Sequence, residues 1–237
     1  EPTSPMSWGA WVLVLIYPLM IAQILSTLRD GYPTLAGWAE RLPGVGALTD
    51  LCERHRRLIA WAVIPLAIGL GIYTGVLLSA FSARPFWNSG VLGPLFLVSG
   101  LSTAAVLPLL ARAGHQEQRY FERSDLRLIL VELTLIGLFL VSLATGAAQH
   151  LQALELVWGG QFTVPFWLWF VVPGLLLPLA LGVLAANGNR AAGVTAAVLV
   201  VFGGFMLRYV MVEIGQVSTW NEYAIQFDPV LLERLTQ

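Results

Sequence analysis

Arg208 and Glu213 stand in a run, Phe205-Met206-Leu207-Arg208-Tyr209-Val210-Met211-Val212-Glu213-Ile214, whose other members suit a lipid bilayer. A charge at the centre of the hydrocarbon core costs roughly 2.5–3.5 kcal/mol on insertion scales, so an ionisable residue there marks a site or a pathway by default. Tyr73 and Thr74 add a phenol and a hydroxyl to a second apolar run, and Glu132 adds a carboxylate to a third. Such groups can serve a quinone, which needs donors to its carbonyl oxygens. It also needs a proton route when it is reduced or its quinol reoxidised. The residue types therefore predict quinone contact by Tyr73 and Thr74, and proton handling by Arg208, Glu213 and Glu132. Plainer roles stand beside these. Arg208 can pair with a carbonyl or carboxylate and hold the bundle, and Tyr73 can be an interfacial tyrosine. Arg127 lies five residues from Glu132 and does not share its helix face. A partner elsewhere, such as Arg57 or Arg112, is the default for Glu132, and a proton relay is the sharper reading. Gln23, Ser99, Ser102 and Thr103 read as interhelical hydrogen-bond partners.

Depth decides which of these groups can meet. At ~1.5 Å per residue from the cytoplasmic end, Tyr73 lies roughly 22 Å along its helix and Arg208 roughly 25 Å along its own. Both belong to the outer half of the membrane, with Thr74 at a similar depth, Glu213 nearer the outer surface and Glu132 close to the cytoplasmic side. The histidines answer a different question. A bundle holding b-type haem would offer histidines facing each other inside the membrane, but His55 and His115 fall in connections and His150 just past the end of a span. No haem or metal is expected in this chain, so redox traffic would need a diffusible carrier. The single Cys52 excludes an internal disulfide and a four-cysteine cluster built from this chain alone.

The elements that must position these residues are apolar runs. A bilayer core about 30 Å thick needs roughly 20 apolar residues per helix, and six stretches qualify: 7–28, 58–81, 91–111, 126–147, 166–186 and 191–214. None alternates as a barrel strand would. The composition agrees: 57% of the chain is hydrophobic and 11% charged, with a mean hydropathy of +0.74, against ~25% charged for a soluble chain. The expected fold is all-α, a polytopic transmembrane helical bundle forming a single membrane domain over residues 1–237. The net charge of −1 gives no reason to expect a nucleic acid partner. All thirteen basic residues are arginine.

Those arginines set the orientation. Arg29, Arg41, Arg54, Arg56 and Arg57 occupy the first connection, Arg112, Arg119 and Arg123 the third, and Arg190 the fifth. The opposite side carries only Arg84 and Arg234, so the positive-inside rule places both ends of the chain outside. Trp8, Trp11, Phe86, Trp87, Trp158, Trp167, Trp169 and Trp220 gather at the outer helix ends as an interfacial belt. No signal peptide is expected before the first run. A faint repeat pairs Pro5 and Pro18 of the first span with Pro165 and Pro178 of the fifth.

At Pro2-Thr3-Ser4-Pro5-Met6-Ser7-Trp8-Gly9-Ala10-Trp11 the sequence resembles the NrfD/PsrC family, the haem-free membrane subunits of polysulfide-reductase-type complexes. Tyr73-Thr74-Gly75 with Arg84-Pro85-Phe86-Trp87-Asn88 agrees, as does Gly203-Gly204-Phe205-Met206-Leu207-Arg208-Tyr209 through Gly215-Gln216. Pro173-Gly174-Leu175-Leu176-Leu177-Pro178 matches more weakly. The resemblance implies a membrane anchor that binds menaquinone or ubiquinone near the periplasmic face. It would pass electrons between that quinone and an iron–sulfur subunit, itself connected to a molybdopterin catalytic subunit. Tyr73 takes the place of the family's quinone-contacting tyrosine, and Arg208 that of its proton-handling arginine. Family members carry further helices before the Pro-Thr-Ser-Pro stretch, and these supply other quinone contacts. The related subunit of alternative complex III is a second reading, and a transporter or purely structural anchor a third.

Overall fold

The structure, a computed structural model, describes residues 4–110, 115–186 and 189–218. Trp220, Arg234, Arg112 and both chain ends lie outside the described residues. Every regular element among the described residues is a helix. Six are long and apolar enough to cross a membrane: Met6–Gly31, Arg56–Ser79, Leu92–Leu110, Tyr120–Ala144, Val164–Ala185 and Ala191–Val217. Each overlaps one of the six predicted runs, and the chain is a multi-pass membrane protein. Two compact units divide it, Glu1–Thr74 and Gly75–Gln237.

In the first unit α1 (Pro5–Gly31) opens on Ser4, whose hydroxyl accepts from the Ser7 amide at 3.3 Å, with Pro5 in the first turn. This satisfies an amide that the helix itself leaves unpaired. The connection that follows is helical rather than an open loop: α2 (Pro33–Ala39) and α3 (Val45–Arg54) both pack on α1. Arg29 near the end of α1 holds them, reaching Glu40 at 2.6 Å, Asp50 at 2.7 Å and Glu53 at 3.2 Å. The next helix, α4 (Arg56–Ser79), is tied to α1 by Arg56 and Asp30 at 3.0 Å. The unit boundary falls within α4.

The second unit holds four spanning segments. These are α5 (Leu92–Leu110), α6 (His115–Ala144), a π-helical stretch Val164–Leu176 running directly into α8 (Leu177–Ala186), and α9 (Arg190–Val217). A short helix, α7 (Ala148–Glu155), follows α6. α5 packs on α6 and α9, while the π stretch and α8 pack on α9. The wide π turns replace the α-helix expected there. Pro173 lies within the stretch and has no N–H to give to the carbonyl four residues back, which the tighter helix would require. Gly174 and Gly203 let the π stretch and α9 touch backbone to backbone: a Cβ on Gly174 would sit 2.6 Å from the Gly203 Cα. Without a hydrophobic force between helices in lipid, such small-residue crossings supply much of the association.

The Arg84–Asn88 loop closes one end of this bundle. Arg84 donates to the backbone oxygens of Gln216 and Ser218. The Trp87 indole donates to the Met211 carbonyl at 2.8 Å and lies on Gly215. Phe86 is fully buried and meets Phe139 edge to face at 5.1 Å. Trp167 donates to the Val157 carbonyl at 2.9 Å. Phe86, Trp87 and Trp167 are therefore packing residues, not members of the expected interfacial belt. Trp8, Trp11, Trp158 and Trp169 are exposed as that belt requires.

Candidate functional site

The polar groups of the second unit converge where α5, α6 and α9 meet. On α6, Asp125 and Glu132 lie seven residues apart, two turns along one face and ~10 Å in rise. Asp125 is 6% exposed and Glu132 3%. On α5, Ser99 and Ser102 are both buried and three residues apart, so they face the same way. The Ser102 hydroxyl donates to Asp125 Oδ1 at 2.6 Å. One turn further, the Ser99 side chain lies beside the Glu132 carboxyl, with the Arg208 guanidinium near enough for its charge to act on it. Carboxyl, hydroxyl, hydroxyl, carboxyl and guanidinium thus follow one another through the interior of the bundle. Hydroxyls both donate and accept, as passing a proton requires.

Arg208 reaches this array from α9. Its Nη1 donates to the Gly204 carbonyl on its own helix at 2.6 Å, and its guanidinium carbon lies 5.9 Å from the centre of the Phe96 ring. Among the described residues no carboxylate forms a contact ion pair with it. Among the described residues, Nη1 to the Gly204 carbonyl is the hydrogen bond that its five N–H donors make. Gly204 makes room at this level: a Cβ there would stand 2.5 Å from Thr103 Oγ1 and 3.8 Å from Ser99 Oγ.

One expectation changes here. Glu132 is not separated in depth from Arg208: within the second unit and among the described residues its neighbours include Ser99 and Arg208. The reason is the length of α6, which starts at His115, not Leu126. Glu132 is then ~25 Å along its helix and Arg208 ~27 Å along α9, level with each other. Asp125 was missed for the same reason, since the span predicted from residue 126 left it outside by one position. The signal was available as an acid seven residues before another acid, two turns along one helix face. Ser102 bonds between helices as expected, whereas Thr103 turns back to the Ser99 carbonyl at 2.9 Å.

Of the remaining predicted residues, Glu213 is half-buried near the end of α9 and is not drawn into the array. Tyr73 and Thr74 belong to the first unit. The Tyr73 ring lies directly on Gly9 of α1, where any Cβ would collide with it. Tyr73 is half-buried, and among the described residues its hydroxyl makes no hydrogen bond. Thr74 is exposed and donates to the Gly71 carbonyl of its own helix at 3.2 Å.

The family model described as "Polysulphide reductase, NrfD" matches residues 1–219. Protein NrfD of Escherichia coli (strain K12) is 31% identical over 229 residues, covering 91% of this chain and 71% of that protein. The NrfD homolog of Haemophilus influenzae is also 31% identical, over 75% of this chain and 59% of its own length. A polysulfide reductase chain of Wolinella succinogenes is 27% identical over 90% of this chain and 70% of that protein. With 219 of its 237 residues matched, this membrane chain belongs to the NrfD family.

Proposed function

We propose that this chain is a haem-free, quinone-reactive membrane anchor. It would exchange electrons between menaquinone or ubiquinone and an iron–sulfur subunit of a larger molybdopterin oxidoreductase. The observation that carries the reading is the Tyr73 phenol: among the described residues, a donor without a protein partner, held against Gly9 within a membrane-spanning helix pair. Such a free phenol fits one carbonyl oxygen of a quinone. Relatives named as parts of a polysulfide reductase and a selenate reductase, and one named a putative dimethyl sulfoxide reductase membrane subunit, support membership of a multi-subunit reductase. A bound quinone would supply two-electron, two-proton chemistry. The chain's own part would be to orient it through Tyr73, with Thr74 beside it, and to carry protons. Glu132 can hold a proton close to Arg208, and Ser99, Ser102 and Asp125 extend the route towards the start of α6.

The test is quinol turnover by the purified assembly in vesicles, with external pH followed at the same time. Tyr73→Phe should lower kcat/KM for the quinol by about tenfold, the worth of one well-placed hydrogen bond near 1.4 kcal/mol. Glu132→Gln and Arg208→Gln should depress proton movement more than quinol binding. Unchanged turnover in Tyr73→Phe would instead favour a structural anchor or transporter. Unchanged proton movement in Glu132→Gln and Arg208→Gln would remove the proton route.

A further inference from the structure

At the end of the second unit where α6 and α9 stop, a cleft of about 400 Å³ opens between α7, the Arg84–Asn88 loop and the last residues of α9. Among the described residues its walls include Pro85, Gln149, Gln152, Glu155, Gly160 and Ser218. Gln149 is 9% exposed, yet among the described residues its amide oxygen makes no hydrogen bond. A buried amide left unpaired costs roughly 1–3 kcal/mol, so it calls for a partner beyond the described residues. Gln152 follows three residues later on the same side of α7 and brings a second amide. Each primary amide offers one acceptor and two donors, the complement of a peptide group's N–H and C=O. Glu155 adds a carboxylate at the C-terminal end of α7, where the helix dipole also favours a cation. The Ser218 hydroxyl is turned away, donating to the Gly215 carbonyl at 2.9 Å. No cation lines the cleft among the described residues: Arg84, in the neighbouring loop, is already committed to two backbone oxygens of the α9 end.

We propose that this cleft receives an extended peptide segment of a partner subunit, with Gln149 and Gln152 pairing its backbone and Glu155 taking one arginine or lysine. The proposal rests on the reading of the chain as one subunit of a larger assembly, and it names where and by what chemistry a partner engages. The rigid frame suits the task. Pro85 on one wall belongs to the loop that Trp87 and Arg84 pin to α9, so that side of the site is preformed and little ordering entropy is lost there on docking.

The experiment uses the purified assembly with a photo-cross-linking amino acid in place of Gln152, followed by peptide mass spectrometry. The expected product joins α7 to a partner-subunit peptide that contains an arginine or lysine. Glu155→Arg and Gln149→Leu should each weaken retention of that partner by roughly tenfold or more. Restoration of Glu155→Arg by reversing the charge of the cross-linked partner residue would establish the pair. Thermal melts matching the unaltered chain keep misfolding from producing the same result, and Glu155→Gln supplies a milder variant. A cross-link to lipid or to this chain itself, or full partner retention in Glu155→Arg, overturns the proposal. Tyr73-dependent quinol turnover is read on the same samples. Its persistence alongside a negative cross-link would sink the docking site alone, and its loss would implicate the quinone reading instead.

Discussion

The two units bury their helices to very different extents. In the most apolar windows of α1 and α4, 11% and 6% of residues are buried, whereas α5 reaches 44% and α9 50%. Their glycines follow the contrast in part. Gly31, Gly37, Gly46 and Gly69 of the first unit would meet nothing if given a Cβ, and Gly75, Gly174, Gly203 and Gly215 of the second would strike a neighbour, while Gly9 of the first meets Tyr73 and Gly90 and Gly137 of the second meet nothing. The second unit is a four-segment bundle that satisfies its own packing. The first leaves most of its apolar helix faces unburied by its own residues, and is held internally by exposed charge pairs and one aromatic ring seated on Gly9. Burial, rather than composition, separates a self-supporting bundle from a helix pair that leans on its surroundings, since the spans of both units are strongly apolar in sequence.

The sharpest way to break that contrast is a matched pair of glycine variants. Gly203→Val inserts a side chain where two backbones already touch, and overpacking of this kind should cost ~3 kcal/mol or more. Gly69→Ala enters open space inside α4 and should leave stability unchanged or raise it by up to about 1 kcal/mol. Thermal melts in one detergent compare them directly, and equal losses would show that the first unit is as tightly packed as the second.

Next in size is Ser102→Ala. It removes the donor from Asp125 and leaves a buried carboxyl short of one hydrogen bond, a loss of about 1–3 kcal/mol. Asp125→Asn in the Ser102→Ala background should recover part of it, because the neutral amide is cheaper to bury. A melt of Ser102→Ala indistinguishable from that of the unaltered chain would mean that the serine does not support the carboxyl. Trp87→Phe is smaller still. It keeps an aromatic ring over Gly215 but deletes the donor to the Met211 carbonyl, worth about 1 kcal/mol. Amide exchange at the end of α9 should rise in this variant, and unaltered protection there would remove the clasp from the account.

The sequence made the spans legible because hydropathy alone sets them: the run expected at 91–111 is the helix Leu92–Leu110. The helices folded into connections were not legible. α2 and α3 are short and polar enough to pass for loop, and only their packing on α1 through Arg29 gives them away. The site was half visible. Arg208 and Glu132 stand out as charges in apolar runs, but their level in the membrane depends on where α6 begins. Polar residues such as Gln118 and Glu122, helical in the structure, conceal that start from a hydropathy reading. The Trp87 clasp on Gly215 joins positions far apart in the chain, a pairing that single-residue propensities do not carry.

The smallest effect concerns the charge that organises the first unit. Arg29 meets Glu40, Asp50 and Glu53 at once, yet all four groups remain open to solvent, where Coulomb attraction is weakened and long side chains lose entropy when held. Arg29→Gln should therefore lower Tm by less than any of the bundle variants, and the deficit should shrink as salt rises. At about 1 M salt the screening length falls to about 3 Å, near the pair distances themselves, so the two melts should then coincide. The variant also releases three carboxylates that repel one another, so at low salt α2 and α3 should become more accessible to protease while the four-segment bundle keeps its protection. A salt-independent loss as large as that of Gly203→Val would mean that Arg29 acts as a packed, desolvated anchor, and the distinction between a bundle held by contact and a helix pair held by exposed charge would fall with it.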